Sequence, residues 1–156
     1  MRGALRSFVT NDAGVSAIEF ALCAPICIVF ILGAIELGAD MMIDSTVQAV
    51  TQAAARSGLT NSTPATQSRA DRAKSIVTNG LSGWLKIPNT SVAITESSYS
   101  TYSAMSSSSG TTGLGGYGDV VTYRVTLTTP GLTGIPKFFG FGPFVFSRNF
   151  IVQNEK

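Results

Sequence analysis

Gly14, Val15, Ser16, Ala17, Ile18, Glu19 and Phe20 stand in that order, and an uncharged apolar run then continues to Ile35. One carboxylate is therefore placed just inside a would-be membrane helix. A charge at the centre of such a helix costs about 2.5–3.5 kcal/mol on insertion scales, so Glu19 needs a partner. Proteolysis between Gly14 and Val15 would supply one, because the freed α-amine of Val15 is cationic at neutral pH. Gly14 has no side chain to obstruct the backbone in a narrow protease cleft. Along a helix the amine lies four residues, about 6 Å of rise, from Glu19. Either that amine or the one on a neighbouring subunit would neutralise Glu19 in low dielectric, and pairing between subunits would set their axial register. The simpler alternative is a solvated interfacial carboxylate on an uncleaved signal anchor.

Other chemistry is thin. The chain has no histidine, which removes the usual imidazole base and the commonest metal ligand. Past the proximal helix the carboxylates Asp71, Glu96, Asp119 and Glu155 show no clustering that would make an acid/base pair or a metal cage, and they read as solvated surface. Serines are abundant, but no motif supports a serine nucleophile paired with Lys74, Lys86, Lys137 or Lys156. Residues 113–118 have the dinucleotide-binding spacing G-x-G-x-x-G, yet a strand pattern follows where a helix N-terminus is required, so they read as a flexible glycine loop. No enzyme activity, cofactor or metal is expected. Cys23 and Cys27 share a helix face at a spacing too wide for a disulfide and read as small apolar fillers. The sequons at Asn61 and Asn89 are short patterns that arise by chance.

The element that must position Glu19 is a membrane helix. Residues 15–39 are mostly apolar and would span about 37 Å, enough for a hydrocarbon core of roughly 30 Å. The strictly uncharged stretch, residues 20–35, is marginal alone, so Glu19 and Glu36 are expected near opposite interfaces, about 26 Å apart. Arg2 and Arg6 precede the segment and keep the N-terminus cytoplasmic, sending the rest out. Pro25 removes one backbone hydrogen bond and predicts a kink. An ordinary secretory signal would be cut near Gly38 or Ala39, but the run is long, carries Glu36 and passes without a break into a helical pattern. Charged residues make up only 13% of the chain and the net charge is +2, so no nucleic-acid-binding stripe exists.

Beyond the apolar run, Ile43, Val47, Val50, Ala54 and Ser57 continue the helix outward as an amphipathic one, with Gly58 as its stop. Asn61, Ser62, Thr63 and Pro64 offer caps for a second helix, whose stripe is Ala73, Ile76, Val77, Gly80, Leu81, Trp84 and Leu85, ended by Pro88. Val92 and Ile94 predict a short strand. Residues 97–118 carry no charge, are rich in serine and glycine, and predict a long exposed loop. Val121, Tyr123, Val125 and Leu127 alternate with Thr122, Arg124, Thr126 and Thr128 as a clear strand. A last strand places Phe144, Phe146, Phe150 and Val152 on one face, interrupted by Arg148. Phe138, Phe139, Phe141, Phe144 and Phe146 concentrate aromatic surface; exposed, they would be a partner patch, but core packing is the expectation for those on the strand.

Phe8, Asp12, Gly14, Ala17, Glu19, Phe20, Ala21, Pro25 and Glu36, followed by Ala53, Ala54, Ala55 and Arg56, resemble the TadE-like family of pseudopilins over about a third of the chain. The resemblance implies cleavage between Gly14 and Val15 by an aspartic prepilin peptidase, leaving Glu19 as the fifth mature residue. It also implies a minor component of the tight-adherence (Tad, Flp) pilus machinery, which is related to type IV pilus and type II secretion systems. Expected partners are the peptidase, other pilins and pseudopilins through the N-terminal helix, and an inner-membrane assembly platform. The expected location is the bacterial inner membrane, single-pass, with a periplasmic head that is either retained in an extracellular pilus or left behind. A TadF-like protein would share the processing signal.

Three parts are thus expected: a leader over residues 1–14, a transmembrane helix over 15–39 and an extracytoplasmic head over 40–156 with a flexible loop at 97–118. The fold class is α+β, a long N-terminal transmembrane helix continuing into a small pilin-like head with a second helix and an antiparallel sheet of about three strands. The function is that of a processed minor pseudopilin that takes part in assembly, initiation or capping of a pilus. The rival is a single-pass membrane-anchored binding or sensor domain unrelated to pili.

Overall fold

The computed structural model describes residues 12–59, 68–107 and 109–155. Arg2, Arg6, Phe8 and most of the expected leader, like the caps expected at Asn61 to Pro64, lie outside the described residues.

Helix α1, Asp12–Leu59, is a single helix of 48 residues that runs without a break through Pro25. Its outer half follows the predicted stripe: Ala39, Ile43, Val47, Val50 and Ala54 are buried at spacings of three and four. Each fully buried valine or isoleucine there contributes about 1.5–3 kcal/mol. At Gly58, near the end of its described length, any side chain would collide with Tyr123 of the sheet behind it.

Helix α2, Arg69–Gly80, is capped by Ser68, whose hydroxyl accepts the Asp71 amide at 3.1 Å and donates to the Asp71 carboxylate at 2.6 Å. It buries Ala73 and Val77 against α1, and Gly80 allows α2 to meet Val50 closely. The stripe outlasts the α-helix. A 3₁₀ turn, Trp84–Lys86, carries Trp84 and Leu85 onto the same core that the fully buried Leu81 enters.

The sheet has four antiparallel strands in the order β2-β1-β3-β4: β1 Ser91–Tyr99, β2 Thr111–Thr112, β3 Val120–Thr129 and β4 Phe144–Gln153. Val121, Tyr123, Val125 and Leu127 of β3 are fully buried and form the floor on which α1 and α2 lie. On β4 the predicted apolar face is interrupted by Arg148, and the reason is visible: Arg148 forms an ion pair with Asp44 on α1. Both partners are part-exposed, so the pair is worth at most about 1 kcal/mol and serves to align β4 with the helix.

The expectation of a long loop over residues 97–118 is corrected. β1 extends through Ser97, Ser98 and Tyr99, helix α3, Tyr102–Ser106, follows, and β2 pairs with β1 at Ser97 and Ser98. Small hydroxyl side chains do this by hydrogen bonding rather than by apolar burial: Ser98 is buried, with its hydroxyl 3.1 Å from that of Thr111, and Thr101 caps α3. The glycine turn before β3 keeps an irregular path, held by the Asp119 carboxylate on the Gly116 amide (2.6 Å) and by Asn154 on the Leu114 and Gly116 carbonyls.

Candidate functional site

The inner half of α1 carries the residues singled out by the sequence, and none of its most apolar stretch is buried. Gly14 and Val15 lie within the first turns of the helix, so the expected cleavage point is helical rather than extended. Val15 is 56% exposed and Phe20 75%, and Glu19 is exposed beside them. Cys23 and Cys27 are free and exposed. Among the described residues this is the one helix long and apolar enough to cross a membrane.

Glu19 and Glu36 are not equivalent ends of that span. Seventeen residues is 4.7 turns, so the two carboxylates project about 100° apart around the axis as well as about 26 Å along it. Glu36 points into the head and is only 4% exposed. Its Oε1 accepts the Leu132 amide at 2.8 Å, and its Oε2 accepts both the Thr133 amide at 2.7 Å and the Thr133 hydroxyl at 2.6 Å. The connection between β3 and β4 is bent around the carboxylate by Gly131 (φ 97°) and Gly134 (φ 75°). A Cβ at Gly131 would strike Glu36. Two amides and a hydroxyl thus replace the water that a buried carboxylate loses.

Glu36, expected near one membrane interface, therefore has a second task in the fold. It is a latch between α1 and the head, and no local spacing points to its partners, two backbone amides and a hydroxyl nearly a hundred residues away. The glycines at 131 and 134, flanking a threonine, were the only available signal. With Glu36 and Ala39 covered by the head, the uncovered apolar part of α1 is residues 15–35. That is about 31 Å of helix, close to one hydrocarbon core. One turn further out, Asp40 has a buried Oδ1 with no hydrogen-bond partner. Burial first, and the Glu36 carboxylate second, push its carboxyl above the usual range.

Beside this junction the β3–β4 connection continues as the short helix α4, Ile135–Phe138, and an aromatic turn. Phe138, Phe139 and Phe141 are 80%, 56% and 66% exposed, whereas Phe144, Phe146 and Phe150 on β4 are partly buried, the latter two against the core. Between the turn and α1 runs an open, mainly apolar groove of about 590 Å³, lined by Val29, Phe30 and Gly33 on one side and Phe139, Phe141 and Phe144 on the other, with Glu36 and Asp40 also on its α1 wall.

The head also holds a polar cluster around Glu96, a residue whose spacing alone suggests solvated surface. Glu96 is 9% exposed, with one carboxylate oxygen buried and unpartnered, and it sits across from Tyr123 in the β1–β3 register. Burial pushes the Glu96 carboxyl up, with Lys74 opposing and Asp71 reinforcing. Burial, then the Glu96 charge, push the Tyr123 hydroxyl to about 12 against the opposing influence of Arg69. Arg69 itself donates to the Gly58 carbonyl and, at 2.7 Å, to Asn154, tying α2 to the end of α1 and the C-terminal edge of the sheet. Among the described residues no three cysteine or acidic side chains converge to hold a metal.

The geometry therefore separates α1 into an uncovered inner half with Gly14, Glu19 and Phe20 and an outer half latched to a sheet. No curated protein and no solved structure matches the chain. Residues 14–56, almost the whole of α1, match the family model described as TadE-like protein, so the helix carrying Gly14, Glu19 and Glu36 is the part of the chain that is similar to that family.

Proposed function

We propose that this chain is a minor pseudopilin of the Tad pilus system, anchored by residues 15–35 and cut between Gly14 and Val15 by a prepilin peptidase. The observation that carries the reading is the coincidence of the TadE-like match with a helix whose most apolar stretch has no residue buried by its own head. In a monomeric anchored domain that surface would meet only lipid, and the exposed Glu19 would stand there at a cost of about 2.5–3.5 kcal/mol if carried to the membrane centre. In an assembly of helices the same surface packs on neighbours, and the amine of a processed Val15 neutralises Glu19.

The partners that fit are the peptidase, other pilins and pseudopilins along α1, and the assembly platform of the inner membrane, with the head on the periplasmic side. The 100° offset between Glu19 and Glu36 supports this division of labour, since the head side of α1 is already occupied while the Glu19 side stays open to a neighbouring helix.

Intact mass or N-terminal sequencing of the membrane-extracted protein tests the reading. The expected start is Val15. An intact leader would refute processing, and a start near Asp40 would identify an ordinary secreted domain.

A further inference from the structure

We propose that the aromatic turn between β3 and β4 is immersed in the membrane leaflet on the head's side, and that lipid acyl chains fill the groove between this turn and α1. The inference rests on the reading of residues 15–35 as the span.

Depth decides it. Phe139 shares a second surface groove with Pro25, Ile26, Val29 and Phe30 of α1, which puts this ring beside the middle of the apolar stretch. If the membrane boundary lay low enough to leave the turn in water, it would have to pass near Pro25. The span would then shrink to residues 15–24, about 15 Å of helix, half of what a hydrocarbon core requires. The full span needs residues 15–35, and whatever lies alongside Pro25 to Phe30 then lies in hydrocarbon with them.

The turn is built for that environment. Residues 130–146 contain five phenylalanines and no carboxylate, and their one charge is Lys137. Its long stem allows the ammonium to reach the headgroups. In hydrocarbon every backbone amide must be bonded internally. Here Phe138, Phe139, Gly140 and Phe141 donate to the carbonyls of Gly134, Ile135, Lys137 and Pro136 at 3.0, 3.2, 3.0 and 2.9 Å, and Pro136 and Pro143 have no amide to bond. Four consecutive amides of the turn are thus already bonded within it, and three phenylalanines more than half exposed would be an unfavourable patch in water.

The test uses the full chain reconstituted in phosphatidylcholine vesicles, with and without lipids brominated along the acyl chain. Trp84 is retained, and the emission added by Phe138→Trp is compared with the parent. Brominated lipid should remove roughly half or more of that added emission, while aqueous iodide leaves it nearly unchanged. A Phe141→Trp version gives the same reading if the first variant fails to fold. Phe20→Trp reports the span itself: if it escapes brominated lipid, the membrane reading and this inference fall together. If Phe20→Trp is quenched and the turn is reached by iodide alone, only this inference is overturned. Loss of lipid quenching at the turn as protein-to-lipid ratio rises would put a second copy of the chain in the groove and overturn lipid as its occupant.

Discussion

Glu36 and Thr133, 97 positions apart, are joined by two hydrogen bonds to a single carboxylate oxygen, from the Thr133 amide at 2.7 Å and the Thr133 hydroxyl at 2.6 Å. The residue that closes the apolar span is thereby also the residue that fixes the sheet to it. Membrane helix and head meet without a linker.

Replacing Glu36 by Ala removes every acceptor of the latch and strands the Leu132 and Thr133 amides. Denaturant unfolding of the full chain in detergent should show a loss of about 2–4 kcal/mol. Thr133→Val, which keeps both amide bonds, should cost about 1–2 kcal/mol. Parent-like stability of Glu36→Ala would show that the contact holds nothing together.

Glu19→Ala removes the carboxylate from the uncovered side of α1 and leaves the head untouched. Insertion and cleavage should persist, while co-purification with other pilins falls at least about tenfold, the effect of roughly 1.4 kcal/mol of lost pairing. Undiminished co-purification would remove Glu19 from assembly.

Gly14→Phe places a bulky ring at the proposed cut. Mass spectrometry should find the leader retained on most molecules, because the backbone no longer fits a narrow cleft. Full conversion to a Val15 start would mean that the protease does not read this position.

Glu96 gives the head a pH dependence of determinable sign. Its folded pKa lies above the ordinary 4.5, chiefly through burial, so folding favours the protonated acid. That contribution is present below pH 4.5 and is lost as pH rises through the raised folded value. Stability through this group therefore falls from mild acid toward neutrality. Glu96→Gln should flatten the trend and stabilise the head at pH 7 by about 1 kcal/mol, measured by denaturation at several pH values. A variant with the parent's pH profile would assign the trend to other groups.

Much of the fold was legible where apolar side chains repeat. Ile43, Val47, Val50 and Ala54 mark the buried face of α1, and the alternation from Val121 to Leu127 marks β3, because both elements bury one continuous apolar face. β1 outruns its apolar pattern because its inner face passes from Val92 and Ile94 to Glu96 and Ser98, and polar residues buried by sheet pairing look like a loop. Ser68 was missed as a cap because Pro64 gave a stronger local signal. Glu36 was visible as a charge, but its meaning depended on amides brought to it by the whole sheet, which no local spacing encodes. Gly14, Val15, Glu19, Phe20 and Pro25 all lie on α1 as the spacing required, since one helix of known rise fixes their relation.

Above Pro25 the helix contains no further proline as far as Leu59, and it is latched at Glu36 and packed on the sheet over its outer half. A pull on its inner end has no slack to take up. Any displacement of the helix along the membrane normal, or any turn about its own axis, is handed to the head at once, so the position of Glu19 among its neighbours also dictates the height and heading of the sheet outside.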